Sequence, residues 1–248
     1  MRLSSPVSGA VVDFDPMETR TDADSSNRYG ALFETHNGRF RYGKASEATT
    51  LGKLKLAPSP IANHVNQTVD SASNVAIGSK VITLDNGGTA ATAGEYDQGE
   101  LSINDATGEG QTLQVEHNDA AGSSADIVVT LADPVKVALV GGTSEYTLVH
   151  NVYNGFQEAA SKTLRGAGVA LVDIASGDFG WLKTRGVAST LIGTAASLGG
   201  ELTSDGSTAG AVTDNTDQTG VDTEVRVGKA SIVAGVSGEY NPIMVTVE

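Results

Sequence analysis

Short apolar runs separated by glycine-rich turns are the feature that most constrains the fold of this chain. The run KVITL at residues 80–84 leads into the turn DNGG, and the alternating run QTLQVEH at 111–117 follows the turn GEG. Runs of this length and composition between such turns predict strands, because Gly adopts the positive φ that tight turns require. No helical period persists along the chain, and 153–164 is the only segment compatible with a helix.

The same pattern predicts a series of further strands. These are 100–104, 126–131, 135–140, 145–150, 168–174, 179–185, 225–227, 231–233 and 243–247. Residues 175–178 would join two of these strands as a hairpin, and the polar stretch 204–220 is expected to be a long exposed loop. Short strands spaced by turns about every 8–12 residues are typical of sandwiches and barrels. We therefore predict an all-β protein with a sandwich-like or barrel-like body and little helix.

The first 60 residues differ from the rest of the chain in charge and in sequence pattern. Residues 1–69 hold 8 Lys and Arg against 7 Asp and Glu, whereas residues 70–248 hold 8 against 23. Pro58 and Pro60 interrupt sheet pairing and favour extended chain. We therefore predict an extended N-terminal arm with short strands over 1–60 and a β-rich body over 61–248. The body divides at most into two sub-domains, 61–150 and 151–248.

Composition excludes several classes of protein. The chain has no Cys, which excludes a disulfide-stapled domain, a zinc ribbon and thiol chemistry. Neither a signal peptide nor an apolar stretch long enough to span a membrane is expected. The net charge of −14 disfavours nucleic acid as a partner, since nucleic acid attracts basic surfaces. An acidic surface of this kind favours solubility.

No catalytic or metal-binding motif in the sequence has all the residues, at the right spacing, that its chemistry requires. The four histidines lie far apart without metal-ligand spacing; they are His36, His64, His117 and His150. The segment 215–226 resembles a calcium loop, but Arg226 stands where a bidentate Glu is needed. Trp181 is expected to be a core residue rather than a sugar-stacking platform. We therefore predict a non-enzymatic protein without catalytic, cofactor-binding or metal sites and without a small-molecule substrate.

Several ordered sequence elements resemble those of a known family. They are GEYDQGELSINDATGEGQTLQVEHNDAAGSSADIVVTL at 94–131, the following ADPV, LVHNVYN at 148–154, GVALVDIASGDFGWLKTRG at 168–186 and VGKASIVAGVSGEYNPIMVTV at 227–247. In this order they are similar to the capsid decoration, or cement, proteins of tailed bacteriophages. The shared positions are turn and packing residues, and they cover about residues 94–248.

The resemblance implies a virion protein on the outer surface of a phage head. Such a protein would be made in the host cytoplasm, form a homotrimer and bind the major capsid protein, bridging its subunits and stabilising the shell. Many modest contacts repeated around a symmetric shell would add up through avidity. On this hypothesis the arm over 1–60 anchors the protein to the capsid and the acidic body faces water.

Other virion roles are alternatives. A shell subunit usually carries a long helix, which this sequence does not predict, and a tail tube protein would form hexameric rings. A fibre also stays open. A carbohydrate-binding or enzymatic virion module would need a cleft with convergent polar groups.

Overall fold

The protein is nearly all β in the computed structural model, which describes residues 15–21, 27–215, 226–230 and 232–248. The strands among these residues, in chain order, are Leu32–Thr35 (β1), Gly38–Ala45 (β2), Leu54–Leu56 (β3), Val65–Thr68 (β4), Val81–Leu84 (β5), Glu100–Asp105 (β6), Thr112–Asn118 (β7), Ile127–Leu131 (β8), Glu145–Val149 (β9), Asn154–Phe156 (β10), Gly166–Ala170 (β11), Phe179–Leu191 (β12), Glu201–Ser204 (β13), Val212–Asp214 (β14), Arg226–Lys229 (β15) and Tyr240–Thr246 (β16). The helical content of the described residues is a single 3₁₀ turn, Ala62–His64. The all-β prediction is confirmed.

The chain folds into two compact units. Ser59–Asn154 form the inserted unit, and the segments on either side of it, Met1–Pro58 and Gly155–Glu248, together form the discontinuous unit. The insertion therefore separates β3 from β11, which nevertheless pair with each other.

The inserted unit is a closed antiparallel barrel. Its strands are hydrogen-bonded in the order β4-β9-β6-β7-β8-β5. A bridge between Val69 and Leu84 joins the chain at the end of β4 to β5 and completes the ring. Alternation along β7 places Leu113 and Val115 in the interior and Gln114 outside. Val, Ile and Leu side chains from every strand except β4 fill the barrel, together with the buried Tyr146 of β9 and Tyr96 of the connection between β5 and β6.

The discontinuous unit is built around the long strand β12. Its first half pairs with β2 and its second half with β16, and the change of partner falls at Arg185. The full order is β1-β2-β12-β16-β15-β13-β14, with β11 and β3 attached beside β12. Leu54, Val169 and Val245 belong to the main aliphatic core of this unit. A separate aromatic cluster packs between β1, β2 and the start of β12; it consists of Phe33, Phe40, Tyr42, Phe179 and Trp181.

Both units repeat one local structure, which we name the crossed-loop pair. In each pair two loops meet at a single antiparallel bridge, through two reciprocal backbone hydrogen bonds of 2.7–3.0 Å. The bridged residues are Thr49 with Ile174 and Ala196 with Gly235 in the discontinuous unit, and Val75 with Leu139 and Ala91 with Ala121 in the inserted unit. Each unit therefore contains two crossed-loop pairs.

A glycine closes the turn in almost every one of these loops. It lies three residues after the bridged residue and has a φ between 66° and 91°. The seven glycines are Gly52, Gly78, Gly94, Gly142, Gly177, Gly199 and Gly238, and Ser124 takes the place in the loop of Ala121. Each glycine N–H donates to a carbonyl shortly before the bridged residue of the partner loop, at 2.7–2.9 Å. The four bridges thus join eight loops, seven of which share the same glycine turn.

The structure differs from the sequence analysis at the N-terminal side. The described part of the predicted arm, 1–60, holds β1, β2 and β3. β2 pairs with β12, β3 pairs with β11, and β1 pairs with β2 at the edge of the same sheet. Leu54 and Leu56 are fully buried there. The basic residues of this region alternate with apolar ones, so Arg39 and Arg41 lie on the outer face of a sheet and pair with acidic side chains. The division between the units falls after residues 58 and 154.

Three local predictions are also corrected. The segment 153–164 is not a helix; β10 occupies its start, and the rest runs without regular structure. Residues 135–140 and 232–233 are loop rather than strand, because their apolar side chains belong to crossed-loop pairs. The predicted loop 204–220 contains β14, and its last five residues lie outside the described part of the chain.

Candidate functional site

His64 and Tyr96 form a buried polar pair inside the inserted unit. The Nδ1 atom of His64 lies 2.6 Å from the Tyr96 hydroxyl, and its Nε2 atom lies 3.0 Å from the Thr89 carbonyl oxygen. A carbonyl only accepts hydrogen bonds, so Nε2 carries the proton and Nδ1 accepts from the tyrosine O–H. Burial raises the pKa of Tyr96 well above its ordinary value. Tyr96 is therefore a fixed donor rather than a proton acceptor.

Two further histidines contact the same loop, residues 92–99. His150 stacks on the ring of Tyr96 with 4.5 Å between ring centroids. Its Nε2 atom lies 3.7 Å from Glu95, and His117 Nδ1 lies 2.9 Å from Asp97. Burial raises the pKa of Glu95, but hydrogen bonds from His150 and Thr92 outweigh burial and hold it below the ordinary value. The fold thus gathers three histidines that sequence spacing left apart.

A second buried cluster joins two distant parts of the discontinuous unit. The carboxylate of Glu158, just after β10, accepts hydrogen bonds from Lys55 Nζ and the Thr50 N–H, and from Lys53 Nζ at 3.0 Å. Lys55 is fully buried and also donates to the Thr50 carbonyl at 2.7 Å. Burial lowers the pKa of Lys55 to about 8, against the opposing effect of Glu158.

Both clusters are satisfied internally, which favours a structural role. Burial raises the pKa of Glu158, but its hydrogen bonds from Lys55, Thr50 and Lys53 prevail, so the carboxylate stays ionised. Its oxygens and the Lys55 ammonium face each other rather than a cleft. Buried polar groups with complete hydrogen bonding fix one arrangement of the surrounding strands. We therefore interpret these clusters as internal ties.

The other residues singled out from sequence lie as follows. Trp181 is buried in the aromatic cluster, with its ring 5.3 Å from that of Tyr42, as expected of a core residue. His36 is exposed in the turn between β1 and β2. Of the calcium-like segment 215–226, residues 216–225 lie outside the described chain.

The inserted unit carries an exposed apolar surface on one crossed-loop pair. Its loops are residues 71–79 and 134–144, and we name this surface the Ile77 face. The face consists of Ile77, Val137 and Val140, whose exposed fractions are 69%, 48% and 39%. Ile77 lies two residues after one bridged position, and Val137 lies two before the other.

The discontinuous unit carries the same surface at the matching positions. We name it the Leu198 face; it lies on loops 193–200 and 232–240 and consists of Leu198, Val233 and Val236. Their exposed fractions are 65%, 39% and 56%. Counted from the bridged residues, the three positions are those of Ile77, Val137 and Val140. Large apolar side chains at exposed turn positions do nothing for folding, and clustered exposure of this kind marks interaction surfaces.

The sequence pattern does not identify these faces, although their residues stand in segments described above. The short apolar runs around Val137 and Val233 predict strands. The signal that identifies them is the glycine following the bridged residue, which places the neighbouring apolar side chains at a turn.

Within the described residues, no cluster of three or more His, Asp or Glu side chains is arranged to hold a metal ion. The same residues contain no helix with the length and apolarity needed to cross a membrane. Comparisons with protein-family models, with curated proteins and with solved structures find no match.

Proposed function

We propose that the protein is a capsid decoration protein, which self-associates and binds the outer surface of a tailed-phage head. The observation that supports this proposal is the position, within the fold, of the sequence elements that resemble the family. The stretches 94–131, 168–186 and 227–247 each contain a bridged residue of a crossed-loop pair, and most of them also its turn glycine. The resemblance therefore lies in the scaffold that builds both units.

Surface chemistry supports the same proposal. The body of the chain is strongly acidic, with 23 Asp and Glu against 8 Lys and Arg in residues 70–248. Scattered acidic surface keeps a protein soluble, whereas compact apolar faces invite specific contacts. A protein displayed in many copies on a symmetric shell gains avidity from contacts that are individually weak. The acidic surface would face water in that position.

The anchoring region is revised by the fold. β1, β2 and β3 belong to the discontinuous unit, and Arg20 also bridges to Phe179 of β12. A separate N-terminal anchor would therefore precede Arg20. Residues 1–14, which lie outside the described part of the chain, can be removed without touching any described strand. We propose that these residues contribute to binding the capsid shell.

Co-sedimentation with phage heads tests both parts of the proposal. Purified protein is mixed with heads assembled from the shell subunit of the same phage, and pelleting is compared for the full chain and for a chain lacking residues 1–14. We expect the full chain to pellet with the heads and the truncated chain to remain largely in solution. Circular dichroism of the truncated chain serves as the control for folding.

The two failures are distinguishable. A full chain that stays in solution would contradict the decoration role itself. A truncated chain that pellets as well as the full chain would contradict only the anchor and assign shell binding to the two β units.

A further inference from the structure

The Ile77 face and the Leu198 face are equivalent surfaces on two different units of one chain. Each presents three large apolar side chains at the same positions relative to its bridged residues. In the Leu198 face, Ile232 and Tyr240 extend the apolar surface, with exposed fractions of 43% and 44%. The pair at Thr49 and Ile174 also has Leu51, 50% exposed, and Val172 at two of these positions. The pair at Ala91 and Ala121 has no large apolar residue at any of them, so the crossed-loop pair does not itself require an apolar face.

The loops of each face contain one charged side chain, and the two side chains have opposite sign. The loops of the Ile77 face contain one charged side chain, Lys136, beside Val137. The loops of the Leu198 face also contain one, Glu239, whose N–H donates to the Val236 carbonyl at 3.1 Å. Both side chains are exposed. Outside these loops, the Asp70 and Asp214 carboxylates accept hydrogen bonds from the Ala72 and Ser197 N–H groups and are present on both faces alike. Lys136 beside one apolar centre and Glu239 beside the other are the side chains that differ in sign, and they are complementary.

We propose that the Ile77 face of one copy of this chain docks on the Leu198 face of the next copy. The occupant of each face is thus a second copy of the same protein, with Lys136 opposite Glu239 at the edge of the contact. Pairing like faces would bring two Lys136 or two Glu239 side chains together. Repulsion between like charges at an interface disfavours that pairing. The inference deepens the proposed decoration role, on which its biological setting rests, by naming the surface of self-association.

Docking unlike faces has a consequence for the assembly. A contact between two different surfaces of the same molecule is heterologous, so each copy offers one donor face and one acceptor face. Such contacts produce a closed ring when the rotation between copies closes, and an open filament otherwise. A cyclic trimer, the state expected from the resemblance, is a ring of this kind.

Native mass spectrometry of the purified full chain, without shell particles, tests the contact. Ile77→Asp disables one face and Leu198→Asp the other, and both residues are more than half exposed, so the fold should tolerate the charge. We expect each variant alone to be monomeric at concentrations where the unmodified chain assembles. Val81→Asp, at another exposed apolar position on β5, is the matched control and should assemble normally.

Mixing the two variants distinguishes unlike from like pairing. An equimolar mixture retains one intact contact, between the Leu198 face of the Ile77→Asp chain and the Ile77 face of the Leu198→Asp chain. We expect a one-to-one heterodimer and no larger species. If like faces pair instead, one variant will dimerise by itself, and that result would overturn the proposal.

Charge reversal provides an independent measurement. Lys136→Glu and Glu239→Lys should each weaken assembly by roughly tenfold in dissociation constant, and the double variant should recover most of the loss. An unmodified chain that is monomeric throughout, or single reversals without effect, would contradict the proposed contact. Because shell particles are absent, these outcomes are separate from those of the head-binding experiment.

Discussion

At the scale of single residues, Lys55 is more completely buried than any other Lys, Arg, Asp or Glu among the described residues. It lies fully inside the discontinuous unit and depends on Glu158 and the Thr50 carbonyl for compensation. A buried ion pair is weak evidence for net stability, because the desolvation of both charges offsets their attraction. Its lowered pKa nevertheless predicts how the free energy of unfolding depends on pH.

We expect the free energy of unfolding to rise with pH above about 8 through Lys55. Its pKa is about 8 in the folded protein and 10.5 ordinarily. Below pH 8 the amine is charged in both states, and burying that charge is costly. As pH rises, the folded protein releases the proton while the unfolded chain retains it, so stability increases. The full effect is about 3 kcal/mol, of which about 2 kcal/mol appears between pH 7.5 and pH 9.5.

Urea unfolding of the unmodified chain and of Lys55→Met at these two pH values measures the effect. The difference between the two proteins isolates Lys55 from Lys183, whose pKa burial also lowers. Parallel changes in both proteins would show that Lys55 does not titrate in this range.

We expect Tyr96→Phe to lower the free energy of unfolding by about 1–3 kcal/mol. The substitution removes the hydroxyl that donates to His64 Nδ1 at 2.6 Å and leaves that buried nitrogen without its partner. Tyr240→Phe, at a 44% exposed position, should change stability by less than about 0.5 kcal/mol. Equal effects of the two substitutions in chemical denaturation would mean that the Tyr96 hydroxyl contributes nothing.

At the scale of elements, the crossed-loop pair explains why this chain needs so many glycines. Each pair holds two loops together through one bridge, and seven of the eight loops turn at a glycine with positive φ. Gly199 is a clear example, with a φ of 85° and open space where a side chain would lie. Backbone conformation rather than crowding therefore dictates the residue.

Replacement of Gly199 by Ala should cost about 1–2 kcal/mol of stability, the price of a left-handed conformation for an L-residue. Gly122 also has open space around its Cα, but it has no positive φ. Gly122→Ala should therefore be neutral or slightly stabilising, since it restricts the unfolded chain. Thermal unfolding of both variants provides the comparison, and similar melting temperatures would contradict the role given to φ.

Strands in which apolar and polar residues clearly alternate could be predicted from the sequence. The pairing of strands and loops that are distant in sequence could not. Leu113 and Val115 of β7 and the β-branched run of β5 show the period of two that places one face inward. The apolar run 135–140 has similar composition but is a crossed loop, which is decided by its bridge to Val75 some 60 residues earlier. The contacts of His64 and His150 with Tyr96 likewise arise from barrel closure. The crossed loops share little beyond one glycine and are unevenly spaced, so no fixed period reveals them.

At the scale of the whole molecule, the chain is two β units with a common building plan, one inserted into the other. Each unit has its own core and its own exposed apolar face. Under the contact proposed above, these faces join one copy of the chain to the next. An acidic surface over the rest suits display in water, which agrees with a role on the outside of a shell.

Cryo-electron microscopy of phage heads incubated with the purified protein tests the central claim most directly. The account predicts additional density on the outer surface of the shell, at repeated symmetric positions, into which the two β units fit. Heads without added protein are the control. Reconstructions of treated and untreated heads that are identical, or density found only on the tail, would contradict a capsid decoration protein.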